Sequence, residues 1–158
     1  GRLKNLEISP KALNNRAEDV CFFQDTLTSA TGTISKADKP WVERYLNGTS
    51  NKIIVQSKTM DSMIDEKKIP SLVKIDVEGH EVEVLEGAEK ILSTKKPLLV
   101  IESFPPIREK TIGFLTLLGY NLLDADNTQP VDETTHNLFA WHPSGPIKDS
   151  IIRKIVSR

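Results

Sequence analysis

The sequence predicts an α/β fold with a mostly parallel sheet and an antiparallel strand pair near its C-terminal end. Three observations carry this. Residues 72–77 and 98–101 are short apolar runs rich in β-branched side chains, the pattern of strands buried on both faces. Between them Val82, Leu85, Ala88 and Leu92 recur at helical spacing, with Val84 and Ile91 alongside. Asn121–Asp124 and Asn137–Trp141 read as strands with no helix between them, so they should pair antiparallel.

In chain order, residues 5–8 give a short strand ended by Ser9-Pro10. A turn at Asn14-Asn15 leads into a second strand over 18–24. Residues 24–38 are polar, rich in Thr and Ser, and form a loop of a length that is often functional, though a plain flexible connection accounts for it equally. Residues 40–46 fit one or two helical turns with Trp41 and Tyr45 on one side, ended by Asn47-Gly48. Residues 52–56 form a strand. Thr59 then caps a short helix over 60–66, with Asp61 in its first turn. The run 72–77 must turn sharply into a helix over 80–92. Gly79 stands at that turn, where φ > 0 is cheap only for glycine. Glu81 and Glu83 at the start and Lys90 near the end match the helix dipole, and Lys95-Lys96-Pro97 stops the helix. Strand, turn, helix and strand together make a right-handed crossover unit. Phe104-Pro105-Pro106 delays the next helix, which is apolar at Ile107, Ile112, Leu115 and Leu118 and followed by Gly119 as C′ residue. A polar loop over 125–136 joins the last strand pair. Ile147, Ile151 and Ile155 mark a terminal amphipathic helix, so the chain divides into a domain over 1–146 and a helical tail over 147–158.

Composition narrows the function. With 158 residues the chain suffices for one domain with a sizeable core. Its 21 basic and 22 acidic residues leave a net charge of −1, which argues against nucleic acid or an anionic membrane as partner. No apolar stretch approaches the ~20 residues of a membrane span. The single cysteine, Cys21, suits a reducing compartment and hence the cytoplasm, and its neighbours Val20, Phe22 and Phe23 make it a core residue. The eight glycines lie too far apart for a phosphate loop, and one Cys with three His makes a structural zinc site improbable.

The polar residues of the crossover are concentrated. Asp76, Glu78, His80 and Glu81 crowd the carboxyl end of the first strand, and Glu102 ends the second. Ligands bind at that edge in open α/β sheets. Gathering so many ionisable groups costs energy through repulsion and desolvation. The alternative is structural: Asp76 caps the turn, Glu81 and Glu83 serve the dipole, and His80 is solvated.

The stretch Lys74-Ile-Asp-Val-Glu-Gly-His-Glu-Val-Glu-Val-Leu-Glu-Gly-Ala, with Pro97-Leu-Leu-Val-Ile-Glu, resembles the FkbM family of S-adenosylmethionine-dependent methyltransferases. Thr59-Met60-Asp61-Ser62, Leu117-Leu118-Gly119-Tyr120 and Ala12-Leu13 before the second strand extend the likeness over roughly residues 5–142. The resemblance implies a Rossmann-like, class I methyltransferase-like sheet, here partial. The family's glycine-rich cofactor loop and the acid that holds the ribose have no counterpart in this sequence. The chain is therefore expected to be the C-terminal portion of a longer protein that does not bind S-adenosylmethionine by itself. Its strand over 72–77 should have an open edge, to be covered by a further N-terminal segment or an oligomer partner.

The resemblance further implies methylation of a small-molecule or sugar hydroxyl. An alcohol acceptor must lose its proton, so Asp76 is the first candidate for general base or acceptor-orienting group. His80 and Glu81 come next, then Glu102. Contacts to S-adenosylmethionine would fall to Asp76, Glu78 and Gly79. No metal is expected, although Asp76, Glu78 and Glu102 form an oxygen-rich set of the kind Mg²⁺ accepts. Two other classes stay open: an interaction module that keeps the frame without cofactor, and a metal-dependent hydrolase built on the same cluster.

Overall fold

The computed structural model describes residues 6–26, 32–34, 49–65, 68–147 and 149–156, and its strands form two four-stranded sheets of mixed direction. The first contains β1 (Ala12–Leu13), β2 (Asp19–Asp25), β3 (Gly32–Thr33) and β4 (Ser50–Lys58), in the order β1-β4-β2-β3. β2 and β4 run antiparallel from Asp19 opposite Gln56 to Asp25 opposite Ser50. Buried Ser57 fixes this register, accepting from the Glu18 amide at 3.1 Å and donating toward the Arg16 and Glu18 carbonyls. The strand expected over 5–8 does not form in its described part. Leu6 and Ile8 are 64% and 79% exposed and pair with no strand among the described residues. The ladder begins instead at Ala12, opposite Ser57, where a partner exists. The short helix expected over 40–46 lies outside the described residues.

The second sheet contains β5 (Leu72–Ile75), β6 (Leu98–Glu102), β7 (Asn121–Asp124) and β8 (Asn137–Trp141), in the order β5-β6-β8-β7. β5 and β6 are parallel, as the crossover requires, while β8 runs antiparallel to both β6 and β7. The antiparallel C-terminal pair is as expected, but the mostly parallel sheet is not. Across both sheets two pairings are parallel, β1 with β4 and β5 with β6, and the other pairings are antiparallel. Among the described residues, the β5–β6 crossover is the connection that carries helices between neighbouring parallel strands. β5 is also not buried on both faces. It lies at the sheet edge, with Leu72 54% exposed and Lys74 exposed, while Ile75 is buried. One face of the sheet thus packs inward, and Leu99, Ile101, Leu138 and Ala140 on it are fully buried.

The helices are α1 (Met60–Met63), α2 (Glu81–Glu86), α3 (Glu89–Thr94), α4 (Ile107–Leu117) and α5 (Asp149–Val156). Thr59 caps α1 as expected, its hydroxyl accepting from the Ser62 amide at 3.1 Å, though α1 stops at Met63. The single helix expected over 80–92 is two, α2 and α3, with Gly87-Ala88 between them. Tertiary contacts end the first and start the second. The Asp61 amide donates to the Gly87 carbonyl at 3.0 Å. The Asp61 carboxylate then accepts from the Lys90 and Ile91 amides at 2.9 and 3.0 Å, so a residue of α1 caps α3. Leu85, Leu92 and Leu115 fill the core between these helices and the sheet.

Candidate functional site

Asp76 to His80 form the turn from β5 into α2. Gly79 has φ of 93°, the left-handed value its position suggested, and its amide donates to Glu81 Oε1 at 2.9 Å. Glu78 is also left-handed, with φ of 52°. A non-glycine residue there stores backbone strain, and such residues cluster at functional sites. The Glu78 carbonyl accepts from Thr33 Oγ1 at 2.9 Å, which ties β3 to this turn.

β1, β2, β3 and the turn enclose a groove of about 550 Å³. Asp76, Glu78 and His80 line it together with Lys11, Phe22 and Thr33. The first sheet therefore supplies part of the site; Thr33 falls in the stretch 24–38 singled out for its length, whereas nothing in the sequence marked Lys11 or Phe22. Burial pushes the Glu78 carboxyl above its ordinary value, and the charge of Asp76 adds to this.

Asp76 forms an ion pair with Lys74, two residues back and on the same face of the chain, Nζ to Oδ2 at 2.5 Å. That hydrogen bond holds the Asp76 carboxyl below its ordinary value against its partial burial, and a hydrogen bond with Glu102 works in the same direction. Glu102 moves the opposite way. Burial pushes it up first, and the shared hydrogen bond and charge of Asp76 push it further. The register explains their meeting: Ile75 pairs with Ile101 in parallel strands, which sets the next residues side by side. Two carboxyls whose proton affinities are pushed apart, Asp76 downward and Glu102 upward, titrate as a coupled pair.

The other sequence candidates serve different places. His80 is wedged, not solvated: its Nε2 lies 3.2 Å from Asn14 Oδ1 and its Nδ1 3.5 Å from the Glu83 carboxylate. Burial lowers its pKa, opposed by the charges of Glu83 and Glu86. Glu81 points away from the groove into the core, where it accepts from the Gly79 amide and from Ser103 Oγ at 3.3 Å. Burial raises its carboxyl despite those bonds. Gly79 is not part of the groove lining, and its amide is already used.

A cofactor with a nucleoside and a charged sulfonium needs a backbone cradle as well as carboxylates. The described glycines do not make one. Gly79 and Gly119 close turns at positive φ, Gly113 lies within α4, Gly87 and Gly145 face neighbouring backbone, and Gly32 lines the groove beside the Phe22 ring. The described residues thus do not fit a complete S-adenosylmethionine site. Among them, no group of three or more His, Cys, Asp or Glu is arranged to hold a metal ion. No described helix is long and apolar enough to cross a membrane.

Residues 6–122 match the family model described as the methyltransferase FkbM domain. Among solved structures, the crystal structure of methyltransferase FkbM from Methylobacillus flagellatus KT is similar, at 15% identity and a TM-score of 0.49. That match covers 86% of this chain and 28% of the other, so the chain spans less than a third of that protein's length. No curated protein matches the chain.

Proposed function

The chain belongs to the FkbM methyltransferase family, and from that premise we propose that it serves S-adenosylmethionine-dependent O-methylation of a small-molecule or sugar hydroxyl. The cofactor supplies the methyl group; the residues of this chain handle the acceptor. The observation that supports this reading is the Asp76–Glu102 pair at the carboxyl end of two parallel strands. A hydroxyl is a poor nucleophile until its proton has somewhere to go. Asp76, kept ionised by Lys74, accepts that proton, and Glu102 shares the resulting charge change through their common hydrogen bond. His80 holds the wall of the groove against Asn14, and Glu81 holds the turn. The single thiol and balanced charge favour a cytoplasmic setting.

Asp76→Asn tests this in the protein that carries the chain. Asparagine keeps the size and some hydrogen bonding but takes no proton. Turnover should fall ~10²–10⁴-fold, the scale of a lost general base. The melting temperature should hardly move, because an exposed ion pair such as Lys74–Asp76 contributes little to stability. Unchanged turnover would remove Asp76 from the chemistry and leave it an edge-strand ion pair.

A further inference from the structure

We propose that Phe104 and His136 form a stacking platform for the ring face of the acceptor and select ring-bearing alcohols over acyclic ones. The inference rests on the reading that Asp76 and Glu102 face the acceptor. Both rings lie on the sheet's carboxyl edge, with centroids 4.7 Å apart and planes tilted by 39°. Phe104 is 45% exposed and His136 is exposed, so the pair presents ring surface to solvent. A lone exposed phenylalanine means little. What sets this one apart is how firmly both residues are held and where.

The Phe104 carbonyl accepts from the Arg108 amide at 2.9 Å, and the His136 carbonyl accepts from the Ser103 amide at 2.8 Å. Buried Arg108 also donates to the Thr135 carbonyl at 2.6 Å, fixing the residue beside His136. Pro105 restricts the backbone of Phe104 from the other side. The backbones that carry both rings are therefore fixed, which lowers the freedom lost on binding. Its position follows from the strand order β5-β6-β8: Phe104 follows Glu102 by two residues, and His136 precedes Asn137, which pairs with Glu102. Two strand spacings set the backbones of Phe104 and His136 roughly 10 Å from that of Asp76, a separation that a six-membered ring with one hydroxyl reaching toward the carboxyl pair would bridge. The apolar C–H face of such a ring packs on an aromatic face; an acyclic polyol offers no such face.

Saturation-transfer NMR on the chain, with methyl β-D-glucopyranoside and glycerol as probes, measures this without a methyl donor. Saturation should reach the C–H protons of the glucoside ring. Phe104→Ala should weaken glucoside binding roughly tenfold, the scale of a lost aromatic contact, and Phe104→Leu should weaken it as well. Phe104→Trp should retain it. Leu117→Ala, which trims another exposed apolar side chain, should change nothing. Equal glucoside binding by Phe104→Ala and the parent, or no saturation of the glucoside by the parent, would overturn the proposal. The outcome separates from that of Asp76→Asn. Phe104-dependent binding beside full turnover in Asp76→Asn keeps the platform and removes the base, whereas Phe104-independent binding beside lost turnover does the reverse.

Discussion

At Gly79 a φ of 93° leaves no comfortable place for a β-branched side chain. Gly79→Val should therefore cost roughly 1–3 kcal/mol, read as a lowered thermal midpoint; a variant that melts with the parent would contradict the turn described here. This glycine was legible in the sequence, since a strand followed by a helix needs a left-handed residue between them. Its neighbour was not. Glu78 takes φ of 52°, and no local pattern marks a glutamate for that conformation. It is held there by a bond from Thr33, 45 residues away. Asn14 was equally hidden. Its place in a turn could be read, but its burial and its contact with His80 depend on segments distant in sequence.

Local signals gave the elements whose causes are local. Thr59 caps α1, and the cap bond runs to a residue three positions on. The apolar period over 80–92 continues without a fault through Val84, Leu85, Ala88, Ile91 and Leu92, which is why one helix is expected there. The break between α2 and α3 comes from outside, where Asp61 takes the Gly87 carbonyl and caps the next helix. Gly87 itself has ordinary helical φ of −69°, so its role is space, not conformation. A Cβ there would stand 2.1 Å from the Asn14 carbonyl oxygen. Gly87→Ala should push the Asn14 turn off the helix pair and destabilise by about 1–3 kcal/mol. Chemical denaturation measures this, and a neutral effect would mean that the Asn14 turn does not pack against Gly87.

For the whole molecule, the α/β class, the parallel β5–β6 crossover and the antiparallel β7–β8 pair followed from hydrophobic patterning, but the antiparallel pairings β2–β3, β2–β4 and β6–β8 did not, because they depend on which strands meet across distant parts of the chain. The polar network under the β7–β8 loop was also invisible. Burial alone would raise the Asp124 carboxyl, yet Thr135 Oγ1 and the Asp126 and Asn127 amides outweigh it and hold the pKa below its ordinary value. A lowered folded pKa adds stability that is present above the unfolded value of 3.8 and is lost as pH falls through the folded one. Asp124→Asn should therefore cost roughly 2 kcal/mol near neutral pH, with the deficit shrinking in acid; urea midpoints at both pH values check it, and a deficit that stays constant would contradict it. Glu78, Glu81 and Glu102 act in the opposite sense: their raised values favour the fold at low pH and lose that contribution as pH rises through them. The functional account rests on the Asp76–Glu102 pair, and carboxyl ¹³C NMR titration of the chain reads it most directly. Asp76 should titrate below the ordinary aspartate value of 3.8 and Glu102 above the glutamate value of 4.5, with Glu102→Gln moving the Asp76 curve. Two independent titrations at ordinary values, with Asp76 unmoved by Glu102→Gln, would contradict it.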